Sequence, residues 1–462
     1  MEVADFFVIA MFLTFIGLLI VGVPVMFSLA GTAVIFTGVG YLGDIYLNTA
    51  TGLDYNYFGI IVNRIYKMMT NWVLVAAPMF IFMGLMMDRS GIAEKLMRST
   101  QDLFGKVRGG LAITVMVIGV LLAASTGIIG ASVVLLGVIS LPTMMKQGYS
   151  KELATGTIAS AGTLGILIPP SIMLVFMADR LGISAGDLFL GAVFPGVVLS
   201  LLYICYLLVF CYIKPTAAPL SPNRRPISWK TISAVFKDVI PPAILIVAVL
   251  GSIFAGIATV TEASGVGALG ATLLALVNRK LDLKILKDSL LHTFNTIGYI
   301  FGILIGATCF ALVLRGLGGD EFIEGLLTGL PFGAYGVIFF ILFIIFFLGF
   351  FLDWIEITLI ILPLLAPVIP KLGLPIEGYG IVENPDLIWF SILVAVTLQT
   401  SFLTPPVGFA LFYLKGVCPV EIQLVHLYRG IIPFVILQIT GIIIIFFWPT
   451  LVTWLPALAY GG

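Results

Sequence analysis

Apolar residues run through this chain in long, nearly unbroken stretches, from one end to the other, with short polar punctuation between them. At about 20 residues per crossing, the pattern predicts membrane-spanning helices and leaves no room for a separate soluble domain. Single spans are expected near 5–27, 28–43, 72–88, 188–213, 290–314 and 430–455. Two apolar segments, 110–145 and 334–370, have the length of a hairpin of two half-helices. The first run, 6–29, follows Glu2 and Asp5 rather than basic residues, so it reads as a retained span and not as a signal peptide.

Two proline pairs interrupt this pattern. They stand in Gly162-Thr163-Leu164-Gly165-Ile166-Leu167-Ile168-Pro169-Pro170-Ser171 and in Gln399-Thr400-Ser401-Phe402-Leu403-Thr404-Pro405-Pro406-Val407-Gly408. A double proline removes two backbone donors and clashes with the preceding turn, so a helix running into it must break. Freed carbonyls at membrane depth need protein or a watery cavity around them, and paired broken helices point to a transport site. The stretches 152–181 and 387–416 are therefore expected to be broken helices at the centre of a carrier.

Basic residues give the orientation. Arg89, Lys95, Arg98, Lys106 and Arg108 crowd one short loop; Lys214, Arg224, Arg225, Lys230 and Lys237 crowd a second; Arg279, Lys280, Lys284 and Lys287 make a third. With these three loops cytoplasmic, both termini are external, and the hairpin at 110–145 enters and leaves on the cytoplasmic side. The hairpin at 334–370 has acidic flanks (Asp320, Glu321 and Glu324 before it, Glu377, Glu383 and Asp386 after) and is external at both ends. A hairpin followed by a broken helix thus occurs twice with opposite orientation, the inverted repeat of a secondary transporter. The segments are 1–109 as N-terminal scaffold spans, 110–187 as the first transport repeat, and 188–289 as scaffold with a cytoplasmic linker at 214–238 that includes a surface helix. Then follow 290–333 as a scaffold span and external loop, 334–416 as the second transport repeat, and 417–462 as the C-terminal span.

Composition narrows the chemistry. Charged residues are 10% of the chain and sum to no net charge, and the basic ones lack interleaved aromatics, so nucleic acid is excluded as a partner. Cys205, Cys211, Cys309 and Cys418 lie singly, without metal-ligand spacing, and imply no disulfide framework. His292 and His426 stand alone. No phosphate-binding loop couples ATP, and Gly265-x-Gly267-x-x-Gly270 matches the dinucleotide fingerprint by letter only, since no strand precedes it.

The first hairpin has a tip of small and hydroxylated residues at Ala123-Ala124-Ser125-Thr126-Gly127. Set against the break at Gly165 to Pro170, it offers hard oxygen ligands without formal charge, which suits an alkali cation. The second tip, Gly349 to Asp353, is expected to face Ser401, Thr404 and Val407, giving one sodium ion per repeat. Asp353 and Glu356 read either as hairpin-end charges near the external interface or as paired carboxylates. Glu262 reads either as a buried functional carboxylate or as the acidic first turn of a helix capped by Thr259 or Thr261. Asp179 and Arg180 are expected to form an interfacial or locally paired set.

At the proline pairs, and at Gly256-Ile257-Ala258-Thr259-Val260-Thr261-Glu262-Ala263, the chain resembles the large membrane subunit (M, DctM-like) of tripartite ATP-independent periplasmic (TRAP) transporters, over essentially its whole length. The resemblance implies an all-α integral membrane protein in which a transport domain holding both hairpins moves like an elevator against a scaffold. It implies an inner-membrane location, a small four-helix membrane subunit (Q) and a periplasmic binding protein (P) that delivers an organic acid. It also implies sodium as coupling ion, with no other cofactor and no enzymatic activity. Family sodium sites map to Ala123, Thr126, Gly165, Ile168 and Pro170 for one ion, and to Gly349, Ser401, Thr404 and Val407 for the other. Ser125, Thr163, Ser171 and Thr400 fall near the implied substrate.

Ala123 stands where serine is common, Ser401 where glycine is common and Val260 where proline is usual. Leu398 to Pro406 and Phe409 to Leu414 resemble the branch labelled for mannitol, chloroaromatic or 2-oxo acid substrates, which favours a monocarboxylate or 2-oxo acid. The rival readings are a stand-alone sodium/anion symporter of similar architecture, an intramembrane enzyme using Asp353, Glu356 or Glu262, and a non-transporting structural subunit.

Overall fold

Proline pairs and helix caps decide where the long apolar runs bend. The computed structural model describes residues 3–104, 107–126, 129–220, 229–379, 382 and 384–460, with the backbone alone for 98, 102, 123–126, 230, 231 and 460. The described residues contain helices and no strand, only an isolated bridge between Tyr379 and Val382. Eleven of these helices are long and apolar enough to cross a membrane.

The chain opens with α1 (Val3–Ile20) and α2 (Val25–Tyr46). Two short helices, Tyr55–Gly59 and Ile61–Met69, precede α3 (Trp72–Arg89) and α4 (Ile92–Phe104). The first hairpin is α5 (Gly110–Thr126) and α6 (Ile129–Lys146), and the first broken helix is α7 (Lys151–Thr163) and α8 (Ile172–Leu181). After it come α9 (Ala185–Ile213), α10 (Trp229–Phe254), α11 (Val260–Val277), α12 (Leu283–Gly316) and α13 (Gly319–Thr328). The second hairpin is α14 (Ala334–Leu348) and α15 (Trp354–Leu372), and the second broken helix is α16 (Pro385–Leu403) and α17 (Phe409–Val417). The last helices are α18 (Leu424–Phe447) and α19 (Thr450–Tyr460).

The order hairpin then broken helix, expected at 110–187 and at 334–416, is present in both places. Several details depart from the sequence reading. The basic stretch 89–108 is not a plain loop, because residues 92–104 form α4, which packs on α5 and α10. In the linker only a single 3-10 turn, Pro215–Ala217, stands apart among the described residues: Trp229 already begins α10, which passes through Pro241 and Pro242 to Phe254, while 221–228 lie outside the described residues. The final span stops at Phe447, and Pro449 restarts the chain as α19.

Burial separates the layers. Every residue of α16 is buried, its polar residues Asp386, Ser391, Thr397, Gln399, Thr400 and Ser401 included. Around it pack α9, α14, α18 and α19, and α18 lies along α7. A second group, in which α2 packs on α12 and α3 packs on α11 and α12, flanks this core. Small residues allow the close crossings, since a Cβ at Gly267 would lie 2.6 Å from Met83 Sδ and one at Gly306 would lie 2.8 Å from the Met26 carbonyl.

Of the two readings of Glu262, the helix cap is the one the fold adopts. Gly256 turns the chain at φ +66, Glu262 N donates to Thr259 Oγ1 at 3.3 Å, and Thr259 N donates to Glu262 Oε2 at 2.8 Å. This reciprocal pair is a capping box. Thr259→Ala should lower stability by about 1 kcal/mol, measured as a drop in the thermal unfolding midpoint of detergent-solubilised protein.

Candidate functional site

Each break follows from its proline pair. Pro169 and Pro170 have no N–H, so the carbonyls of Gly165 and Ile166 lose the donors four residues on. Ser171 Oγ takes over one of them, donating to the Ile166 carbonyl at 2.6 Å. A short 3-10 turn, Leu164–Ile166, tightens the end of α7, and the amides of Leu167 and Ile168 both donate to the Leu164 carbonyl. The Gly165 carbonyl is thus left facing the break without its helical partner. Both proline pairs, Pro169-Pro170 and Pro405-Pro406, are joined by cis peptide bonds.

The second break repeats the logic. Pro405 and Pro406 cannot donate to the carbonyls of Ser401 and Phe402. Thr404 N donates to Ser401 O at 3.1 Å, and Thr404 Oγ1 donates to Thr400 O at 2.8 Å. Gly408, at φ +57, then turns the chain into α17. In both places one half-helix ends with carbonyls at the break while the next begins with unpaired amides, so each break presents a partly negative and a partly positive end.

The hairpins are brought to these breaks. A Cβ on Gly349, at the second tip, would lie 2.2 Å from Ser401 Oγ, so tip and break are in direct contact only because residue 349 is glycine. The first hairpin clasps the other broken helix: a Cβ on Gly162 would lie 2.4 Å from Val133 Cγ2, and one on Gly119 would lie 2.6 Å from Ala161 Cβ. α5 also packs on the turn 164–166. Ala123 and Thr126 stand at the end of α5 beside that tip, but their side chains, and that of Ser125, lie outside the described residues. Ile168 packs against Gly196 of α9.

The hydroxyls placed near a substrate are enclosed. Thr163, Ser171 and Thr400 are buried, and each donates to a carbonyl of its own chain segment, Thr163 Oγ1 to Ser160 O at 2.9 Å and Thr400 Oγ1 to Val396 O at 2.8 Å. Gln399, to which sequence reasoning gave no role, joins the two broken helices. Its Nε2 donates to Thr163 Oγ1 at 3.4 Å, and its Oε1 is buried without a partner among the described residues. A lone amide among the hydroxyl-bearing and apolar residues of α16 was the available signal.

Of the acidic pair, Glu356 is enclosed by protein and Asp353 is half-buried. Asp353 caps the start of α15, accepting from Trp354 N at 2.7 Å, and Glu356 is only 3% exposed, with Oε1 accepting from Tyr299 Oη at 3.2 Å. Packing by α8 and α12 on the descending leg, which runs as a π-helix over Ile357–Ile361, encloses Glu356. Asp179 and Arg180 do form a local pair, at 2.5 Å, and Asn71 Nδ2 donates to the same carboxylate. Asn71 and Asp179 border a cavity of about 450 Å³ that Ser184 and Thr259, the caps of α9 and α11, also line.

Residues 12–451 match the family described as the tripartite ATP-independent periplasmic transporter, DctM component. The chain is 30% identical to the C4-dicarboxylate TRAP transporter large permease protein DctM of Vibrio cholerae serotype O1, over 98% of each protein. It is 28% identical to the ectoine/5-hydroxyectoine TRAP transporter large permease protein UehC of Ruegeria pomeroyi, over 97% of this chain and 98% of that one. Its fold is similar to the crystal structure of the Alcanivorax borkumensis YdaH transporter, with a TM-score of 0.57 at 12% identity, covering 87% of this chain and 89% of the other. At that identity the likeness is one of fold alone. A family match running from residue 12 to residue 451, with a relative 30% identical almost from end to end, leads to one conclusion: this multi-pass membrane protein belongs to the DctM-component family of TRAP transporters, as a large permease subunit.

Proposed function

We propose that this chain is the membrane transport subunit of a sodium-coupled carrier that imports an organic acid, a monocarboxylate or 2-oxo acid, delivered by a periplasmic binding protein and braced by a small membrane subunit. The observation that carries the reading is the contact of Gly349 with Ser401, which seats a hairpin tip on a proline-broken helix. Carbonyl-rich ends of α7 and α16 suit a weakly held monovalent cation, and the amide ends that start α8 and α17 suit a carboxylate. Sodium is assigned to Ala123, Thr126, Gly165, Ile168 and Pro170 in one repeat, and to Gly349, Ser401, Thr404 and Val407 in the other. Ser125, Thr163, Ser171 and Thr400 lie nearest the solute. The enclosed state of Thr163, Ser171 and Thr400 fits a carrier that opens by moving both hairpins together, elevator fashion, with the two repeats inserted in opposite directions and both termini external.

The test is uptake by proteoliposomes containing all three subunits. Uptake should fall to background when the sodium gradient is dissipated; uptake indifferent to that gradient removes the coupling, and uptake by this chain alone favours the stand-alone symporter. Thr404→Ala should raise the sodium concentration for half-maximal uptake roughly fivefold, the equivalent of about 1 kcal/mol for one lost oxygen ligand. An unchanged sodium dependence would restrict ligation there to carbonyls.

A further inference from the structure

Glu356 has no assigned part in sodium or solute binding, yet it is among the most enclosed ionisable groups near the second hairpin tip. Oε1 receives the Tyr299 hydroxyl of α12, and Oε2 is closed from solvent with no hydrogen-bond partner among the described residues. The groups that face it are few. Tyr299 comes from α12, Asp353 from its own hairpin and Tyr413 from α17, and the backbone amides of Asp353 and of Glu356 itself also reach the carboxyl. The ionisable pair of α8, Asp179 and Arg180, is engaged with itself near that helix's C-terminus, and Glu324 of α13 is paired with Lys371 at 2.5 Å. No lysine, arginine or histidine forms an ion pair with Glu356 among the described residues.

An enclosed carboxylate without a counter-charge is costly, and its hydroxyl neighbours cannot supply one. The unpartnered Oε2 is the one carboxyl oxygen left open, and a proton on it removes the buried charge without any further ligand. Tyr299 makes the site state-dependent, because its bond to Glu356 spans two elements, the second hairpin and α12, and exists only while they are packed together.

We propose that Glu356 is a proton-binding site of the transport cycle: it carries a proton while the second hairpin is packed on α12, and releases it to water when the Tyr299 contact opens. This inference rests on the carrier reading above and not on the identity of its coupling ion. The only bond that changes is the carboxyl O–H, whose proton passes to bulk water on release, leaving the carboxylate, and is regained from water on repacking. The sign follows directly. Repacking requires the neutral acid, so uptake falls as pH rises, and a side chain that is always neutral removes that dependence.

Two measurements test it on the intact complex. At a fixed sodium gradient, wild-type uptake should fall at least about threefold between about pH 6 and 8, and Glu356→Gln should give a flat profile over the same range, whatever its absolute rate. Independently of transport, the infrared spectrum of the solubilised complex should contain a carboxylic-acid carbonyl band that Glu356→Gln deletes and Tyr299→Phe shifts. A Glu356→Gln profile that still follows the wild type, or a wild-type-minus-variant spectrum without that band, overturns the proposal. Uptake that ignores sodium but retains the pH dependence defeats the sodium reading and leaves this one standing. If the complex shows no uptake, the spectrum decides.

Discussion

Replacing Gly349 with valine should cut solute uptake by about a hundredfold or more, the scale on which an ångström of misplacement acts at a working site. The cause is space and not backbone conformation, since Gly349 sits in the right-handed region at φ −65. Its missing Cβ would stand 2.2 Å from Ser401 Oγ and 2.9 Å from Ser401 Cβ. Any side chain at 349 therefore lifts the hairpin tip off the break. The contact also predicts its own repair. Gly349→Ala alone should be strongly impaired, and adding Ser401→Gly, which removes both clashing atoms, should restore much of the uptake. The measurement is a double-mutant cycle in the reconstituted three-subunit system, with expression and monodispersity as controls. Additive losses would mean that tip and break do not touch in the working protein.

The second large effect concerns assembly of the core. α7 and α18 meet at Gly156 and Gly430, where a Cβ on the first would lie 2.1 Å from the Gly430 carbonyl oxygen and a Cβ on the second 2.2 Å from the Glu152 carbonyl oxygen. Both obstacles are backbone, which cannot rotate away as a side chain can. Gly430→Leu should thus force the helices apart at a cost of about 3 kcal/mol or more, beyond ordinary overpacking. Since α7 leads directly into the first break, the same change should misplace Gly165 and Ile168. The expected readouts are a marked loss of monodisperse protein on size-exclusion chromatography and a lower unfolding midpoint. Wild-type stability in the leucine variant would show that the helices do not cross at these glycines.

Much of the architecture is local information. A proline removes an N–H wherever it sits, so breaks at Pro169-Pro170 and Pro405-Pro406 were readable from the letters, as was the turn after Leu348 that begins with Gly349. The Thr259 to Glu262 capping box was readable for the same reason, being four consecutive residues that bond to each other. Residues whose meaning depends on distant neighbours were not readable. Glu356 looked like the charge at a hairpin end, because nothing nearby in sequence announces the Tyr299 hydroxyl or the packing of α8 and α12 that encloses it. Gln399 looked like one polar residue in a long span until Thr163 of the other broken helix came within reach.

The lengths of the crossings, the positions of the two breaks and the helix caps were settled along the chain, because hydrophobic thickness, absent donors and capping bonds act over one or two turns. Which hairpin tip rests on which break, which glycines let backbones touch, and which carboxyl ends up shut away were settled only by the assembled fold. Those outcomes depend on contacts between segments far apart in the chain, where a clearance of a few tenths of an ångström decides whether two surfaces meet.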